Sequence, residues 1–381
     1  MNGRELFGAI YGGEKTERLP VLGAGPWGET LERWRTEGLG PAEDPNEALN
    51  LAGDDAMTLP LDLGMAPAFE VRVLEVGAQY VTLVDEYGVT RSMLRSDFER
   101  SGGRMSGSGA MSSMSHWIDF PVKDMRTWKA LREERFQVNL EGRLPPAWGE
   151  QRGEFVRRSR TRWVWFFNFP LFGLFGGVRQ LMGLEGMVYA IADEPELIHT
   201  MVEDLTDLWV GVFERLLGEV RLDMVTFFED MCSTRAPIMG PGMFREFLAP
   251  GYRKVVGVLR EMGVQQFFID SDGNARGLIE EMTACGITGI SPCEVNAGMD
   301  AQELRRDFPR LNLSGGIDKR ALAKGPAAID EELDRRFDTA WTRGRYTPSP
   351  DHGIPPDVSW ENMRYYAQRH REHCERAPLK T

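Results

Sequence analysis

Sulfur and imidazole are scarce in this chain, with four cysteines and five histidines among 381 residues. Cys232, Cys285, Cys293 and Cys374 stand far apart and form no Cys-x-x-Cys pair. That spacing excludes a disulfide framework and a thiolate zinc knuckle. No stretch approaches the ~20 uninterrupted apolar residues of a membrane-spanning helix, and residues 1–18 lack the apolar core of a signal peptide. A cytoplasmic protein with no membrane partner is therefore expected. Positive charge is also short: 45 Lys+Arg against 58 Asp+Glu leave a formal charge of −13. Nucleic acid and anionic lipid both call for a basic stripe, so neither is an expected partner. The basic run 152–162 is a local exception that a solvated helix face explains.

What is present is a globular composition, 42% hydrophobic and 27% charged. A chain of this length can bury roughly three quarters of its unfolded surface, enough to hold a core without cross-links. Residues 1–15 and 29–37 read as helices, with the apolar run 19–25 between them. Over 69–95, Phe69, Val71 and Val73, then Tyr80, Thr82 and Val84, alternate with polar neighbours around Gly77 and Gly88, which predicts an antiparallel meander. The Gly/Ser/Met stretch 101–115 reads as a loop. From residue 162 onward, short apolar runs (163–167, 224–228, 266–269, 287–291, 311–314, 345–347) alternate with helical segments (195–220, 241–262, 275–284, 300–307, 318–338, 359–373). Apolar strands alternating with helices imply parallel strands covered on both faces. With 19–25 as a first strand the count approaches eight, and no G-x-G-x-x-G follows any strand. The expected fold is α/β, a (β/α)₈ TIM barrel spanning 1–381 as one unit, with the meander as an elaboration.

The strand tails carry most of the chemistry. Glu229-Asp230-Met231, Asp270-Ser271-Asp272-Gly273-Asn274, Pro292-Cys293-Glu294, Gly315-Gly316-Ile317-Asp318 and Pro350-Asp351-His352-Gly353 each follow a predicted strand. In a barrel all five open on the C-terminal rim, where active sites of this fold are built. A single Asp after a strand is ordinarily a helix cap, a role that suits Asp300 and Asp318. Five polar tails on one rim instead gather carboxylates that repel one another and call for a cation, a shared proton or an arginine.

Taken in order, these motifs resemble the uroporphyrinogen decarboxylase superfamily. The resemblance extends from Arg4-Glu5-Leu6-Phe7 and Asp85-Glu86-Tyr87-Gly88-Val89-Thr90 through the strand tails to Pro355-Pro356-Asp357-Val358 and Glu361-Asn362. It implies a single barrel and one of at least two chemistries. The decarboxylases carry an N-terminal Arg-Gln-Ala-Gly-Arg segment that grips propionate carboxylates. Here the matching stretch is Gly23-Ala24-Gly25-Pro26-Trp27-Gly28-Glu29, without arginine. The other branch contains methyltransferases that work with corrinoid proteins. They are similar to cobalamin-independent methionine synthase and hold zinc through a His-x-Cys pair, a Glu and a Cys. Those places fall here on Asp270, Asp272, Glu294 and His352.

The resemblance thus implies a divalent metal, zinc being the family's ion, held by Asp270, Asp272, Glu294 and His352. It also implies a corrinoid supplied by a corrinoid-binding partner protein. Carboxylates are harder ligands than thiolates and suit a water or ether oxygen better than a thiol. The expectation is methyl transfer from a small methoxylated donor. Glu229 and Asp270 would act as catalytic acids and His352 as a proton source. Asn168 and Phe169 are expected to line an aromatic donor's pocket, and Asn274 and Tyr87 to contact substrate, with a structural turn as the alternative for Tyr87. Three alternatives stay open: a metal-free hydrogen-bonded cluster of the same residues, a decarboxylase acting on a small acid, and a non-catalytic binding homologue. The histidines His199, His370 and His373 read as solvent-facing. The glycines Gly173, Gly176 and Gly177 suggest a phosphate loop, but no Lys-Ser/Thr follows them.

Overall fold

A computed structural model describes residues 1–23, 25–51, 53–104, 115–340 and 344–376. Most of the expected Gly/Ser loop, 105–114, lies outside the described residues. The frame is a seven-stranded, all-parallel sheet. Its strands are β1 (Ala56–Thr58), β6 (Trp163–Phe167), β7 (Met224–Phe228), β8 (Gln266–Asp270), β9 (Gly289–Ser291), β10 (Asn312–Ile317) and β11 (Tyr346–Pro350), hydrogen-bonded in that order. Among the described residues no ladder joins β11 back to β1, so the closed eight-stranded barrel expected from the sequence is not formed by strand pairing.

Of the expected first strand, 19–25, the described residues 19–23 and 25 are not in a strand. Its chain instead runs through the gap between the two sheet edges. Ile354 N–H donates to Gly25 O at 2.9 Å, and Trp27 N–H donates to Ile354 O at 3.0 Å. On the other side, a Cβ on Gly53 would come within 2.8 Å of Val21 O. Pro20 and Pro26 lack an amide donor and Gly23 and Gly25 weaken extended structure, so a regular ladder cannot form there. The sheet edge is taken by β1, whose three residues are too few to stand out as an apolar run.

The outward residues of the strands pack under helices. Val164, Phe166, Val225, Phe227, Phe267 and Ile269 are buried, and Phe172, Trp209 and Phe213 pack around Phe166 and Phe227. The long helix Pro195–Leu216 buries Leu197, Met201, Leu205, Leu208, Val212 and Leu216, the stripe that its 3.6-residue period predicts. Asp300 and Asp318 are N-caps, accepting from Gln302 N and from Arg320 N at 2.9 Å each.

The meander is a separate four-stranded antiparallel sheet inserted after β1: β2 (Arg72–Val76), β3 (Tyr80–Val84), β4 (Thr90–Leu94) and β5 (His116–Asp119). The face it buries is not the one marked by Tyr80, Thr82 and Val84. Val81, Leu83 and Met93 are buried and Tyr80 is exposed, a one-residue change of phase that reverses the strand's inside and outside. Behind them Arg91 and Asp85 form a fully buried ion pair at 3.1 Å. Among the described residues no helix is long and apolar enough to cross a membrane.

Candidate active site

Alternate residues of the parallel strands enclose a cavity of about 330 Å³. Trp163, Trp165 and Phe167 of β6, Met224 and Thr226 of β7 and Phe268 of β8 make an aromatic side. Ser291, Ser314 and Ser349 of β9, β10 and β11 make a side of small hydroxyls. Barrel interiors are normally filled by branched apolar residues from every strand. Serine here leaves that half unfilled, which is why there is space. Helix Gly3–Gly12 closes the end nearest the strand starts, with Phe7 against Trp163 at 5.7 Å and Tyr11 against Phe268 at 5.2 Å between ring centroids. Trp163 Nε1 and Thr226 Oγ1 are buried without a hydrogen-bond partner among the described residues.

Among the described residues one carboxyl lines this cavity. Asp270 is the last residue of β8, and Ser291 Oγ donates to its Oδ1 at 3.3 Å. Burial pushes the Asp270 acid up to about 7, and the neighbouring carboxylates of Asp272 and Asp230 push in the same direction. The Ser291 hydrogen bond and His352 oppose them. His352 Nε2 meets Asp272 Oδ2 at 3.0 Å, its Nδ1 lies 3.3 Å from Gly353 O, and Trp27 packs edge-on at 5.9 Å. The hydrogen bond to Asp272 raises the His352 imidazole above its ordinary value, against the effect of burial. An NMR titration should therefore place His352 above the usual ~6.5. In Asp272→Asn it should fall, because burial then acts without its largest opponent. The sign for stability follows: this pair contributes fully below about pH 6.5 and is lost as pH rises through the folded value.

Glu294 belongs to a different cluster. Its Oε1 accepts from Lys319 Nζ at 3.1 Å and its Oε2 from Gly273 N at 3.0 Å. Lys319 also lies 3.8 Å from Asp351, whose fully buried carboxylate accepts from Val295 N and Lys319 N. The ammonium of Lys319 thus stands where a ligated cation would serve Glu294. Among the described residues no group of three or more His, Cys, Asp or Glu side chains is arranged to hold a metal ion. The expected set of Asp270, Asp272, Glu294 and His352 divides into a cavity acid, a rim pair and a lysine-bound glutamate. As placed, it does not fit zinc. Cys293 faces away from this cluster, buried beside Ile290, with its thiol pushed up to about 12.

Glu229, expected as a catalytic acid, points into the helix layer rather than the cavity. Strand alternation explains this, since Phe227, two residues earlier, is buried on the same side beneath Phe172 and Trp209. Its fully buried carboxylate accepts from the backbone N–H groups of Leu174, Phe175 and Gly176 at 2.7, 2.7 and 2.9 Å, and from Tyr252 Oη. Those amides open helix Leu174–Met182. The glycine-rich turn does hold an acidic group, as helix N-termini do, and the group is the chain's own glutamate, whose acid burial pushes up to about 7 against the Tyr252 and backbone hydrogen bonds. Gly173 and Gly176 are required there because a Cβ on either would overlap Phe228 O.

The remaining expected contacts serve the frame. Asn168 Oδ1 accepts from Leu63 N at 2.9 Å, tying the loop after β1 to the end of β6. Phe169 packs edge-on against Phe228 at 4.6 Å, and its carbonyl accepts from Tyr87 Oη at 3.4 Å, docking the meander's turn on this rim. Asn274 caps its own turn through Arg276 N. None of these four lines the cavity. His370, expected at the surface, is buried against Phe337 and Tyr366, and burial drives its imidazole down to about 4. The three serines and Thr226 do not stand out in the sequence as site residues. Their signal was present as hydroxyl residues inside apolar strands, but strand ends and strand interiors cannot be told apart until the register is known.

The sequence profile of uroporphyrinogen decarboxylase (URO-D) matches residues 174–373. Uroporphyrinogen decarboxylase of Prochlorococcus marinus (strain MIT 9515) is 23% identical over 174 residues, covering 45% of this chain and 48% of that protein. The enzyme of Synechococcus sp. (strain CC9902) is 25% identical over 170 residues, covering 44% and 46%. The alignment thus spans about half the length of the curated relatives. Among solved structures, a methyltransferase from Methanosarcina mazei has a similar fold, with a TM-score of 0.59 at 15% identity over 98% of this chain and 99% of that one.

Proposed function

The chain belongs to the uroporphyrinogen decarboxylase family, and from that premise we propose that it is a methyltransferase-type enzyme, moving a methyl group from a small methoxylated ring compound to a corrinoid carried by a partner protein. The observation that carries this reading is the cavity. Its volume, about 330 Å³, is at the small end of ligand pockets and suits a single substituted ring. Aromatic side chains line one side, Asp270 is its one carboxyl, and no Lys or Arg lines it among the described residues. An anionic tetrapyrrole would need several fixed cations. The rim cations Arg179 and Lys319 are already held, by Asp230 at 3.0 Å and by Glu294 at 3.1 Å.

In this reading a Co(I) corrinoid, when its carrier is docked, supplies the nucleophile for the methyl carbon. The carbon–oxygen bond breaks with its electron pair left on oxygen, and one proton is then needed to release the demethylated product. Asp270 gives that proton, because burial keeps its carboxyl protonated close to neutral pH. Trp165, Phe167 and Phe268 hold the ring and exclude water from the oxygen. The His352–Asp272 pair beside Asp270 returns a proton from solvent. The test is a Co(I) assay with purified protein, an active corrinoid protein and a panel of methoxylated ring donors. Loss of Co(I) absorbance that needs both donor and protein is the expected result. No turnover across a broad panel would overturn the reading.

A further inference from the structure

The acid and the serines are ordered along the sheet by register. Asp270 of β8 is paired with Ser291 of β9. The next ladder pairs Leu313 with Ile290, which brings Ser314 of β10 beside Ser291. Ser349 of β11 follows two residues beyond Thr347, the partner of Ser314. All three serines line the cavity opposite Trp165 and Phe167. Their roles differ. Ser291 spends its hydroxyl on Asp270 at 3.3 Å. Among the described residues, the Ser314 and Ser349 hydroxyls have no hydrogen-bond partner in the protein. Both are part-exposed to the cavity, so each can donate and accept toward whatever occupies it.

Two strand spacings separate Asp270 from Ser314, about 10 Å along the sheet. That span accommodates one ring with a hydrogen-bonded oxygen at each end. We infer that Ser314 and Ser349 form a specificity-determining edge, holding a second oxygen substituent across the ring from the oxygen that Asp270 addresses. This rests on the reading of the cavity as a ring site, but not on any methyl transfer. The substrate class is a neutral ring with oxygens at opposite ends. A ring with one oxygen leaves the two hydroxyls without a partner, and a charged substituent there would meet no counter-ion. Sites built to hydrogen-bond a substrate reject analogues lacking the group, because the site's own polar atoms are then left unsatisfied. The unpartnered Thr226 hydroxyl on the facing side is a further polar group open to rotation toward such a ligand.

Isothermal titration calorimetry of the purified protein, with no corrinoid present, tests this with 4-methoxyphenol and anisole as probes. Wild-type protein should bind 4-methoxyphenol about tenfold or more tightly than anisole. Ser314→Ala and Ser349→Ala should each weaken 4-methoxyphenol by roughly three- to tenfold. Together they should abolish the preference, with anisole binding unchanged. Ser314→Thr, which keeps a hydroxyl, should keep the preference, and thermal unfolding checks that each variant is folded. If both probes bind and the double variant weakens them equally or not at all, the serine edge is overturned and the ring cavity stands. If neither probe binds wild-type protein, the ring cavity itself is overturned.

Discussion

Asp270→Asn is expected to lower methyl-transfer turnover by roughly 10²–10⁴-fold, the range for removing a positioned general acid, while making the protein more stable in mild alkali. The two effects share one cause. Asp270 holds a proton up to about pH 7 because burial and the nearby Asp272 and Asp230 disfavour its charged form, with His352 and Ser291 only partly compensating. A folded-state value raised above the ordinary ~3.9 means that the native state binds this proton more tightly than the unfolded chain. The corresponding stability is fully present below about pH 4 and is lost as pH rises to about 7. Above that, the wild type carries a buried carboxylate that asparagine removes. The stabilisation at pH 8 is expected to be about 4 kcal/mol at most, less whatever solvent at the cavity mouth screens. At pH 4 it should vanish. Wild-type turnover should fall as pH climbs through about 7. Denaturant midpoints at the two pH values, with turnover of both proteins, check this. Equal stability of the two at pH 8 would contradict the buried-acid account, and undiminished turnover of Asp270→Asn would remove it from catalysis.

Glu229→Ala should destabilise the protein by roughly 3–5 kcal/mol, the expected range when one partner of a buried charged network is deleted. Three N–H groups at the start of helix Leu174–Met182 and the Tyr252 hydroxyl lose their acceptor at once. Water cannot replace it without entering a fully buried site. Glu229→Gln keeps the shape and an amide oxygen, so its loss should be smaller. Hydrogen exchange at Leu174, Phe175 and Gly176 should quicken more than at the sheet amides if the helix start is what comes loose. An unchanged midpoint for Glu229→Ala would show that the helix start has another partner. The same experiment separates the two acids of the strand ends: one is expected to cost activity and the other stability.

Both residues follow apolar strands in the sequence, and nothing in their spelling distinguishes them. Strand alternation does. Asp270 ends β8 on the side of Phe268, which lines the cavity, whereas Glu229 follows Phe228 by one residue and turns to the helix layer. A one-residue offset exchanges inside and outside. The same physics decides the buried face of the meander, where Val81 and Leu83, not the alternating Tyr80, Thr82 and Val84, are the inner residues. The parallel strands β6 to β11 were readable because buried strands are short apolar runs bounded by turns. β1 was not, having only three residues, and the run 19–25 took its place in the count because hydrophobicity is visible in a sequence while missing ladder bonds are not.

What the sequence determined by itself was the alternating α/β plan, the family resemblance and the row of polar residues after the strands, since each depends on local period or local motif. Which acid faces the cavity, that Lys319 neutralises Glu294, and that serines rather than branched residues line half the interior were decided by tertiary structure. These are long-range facts. They depend on register and on contacts between residues tens of positions apart, and no local pattern encodes the distance between a carboxylate and an ammonium 25 residues away.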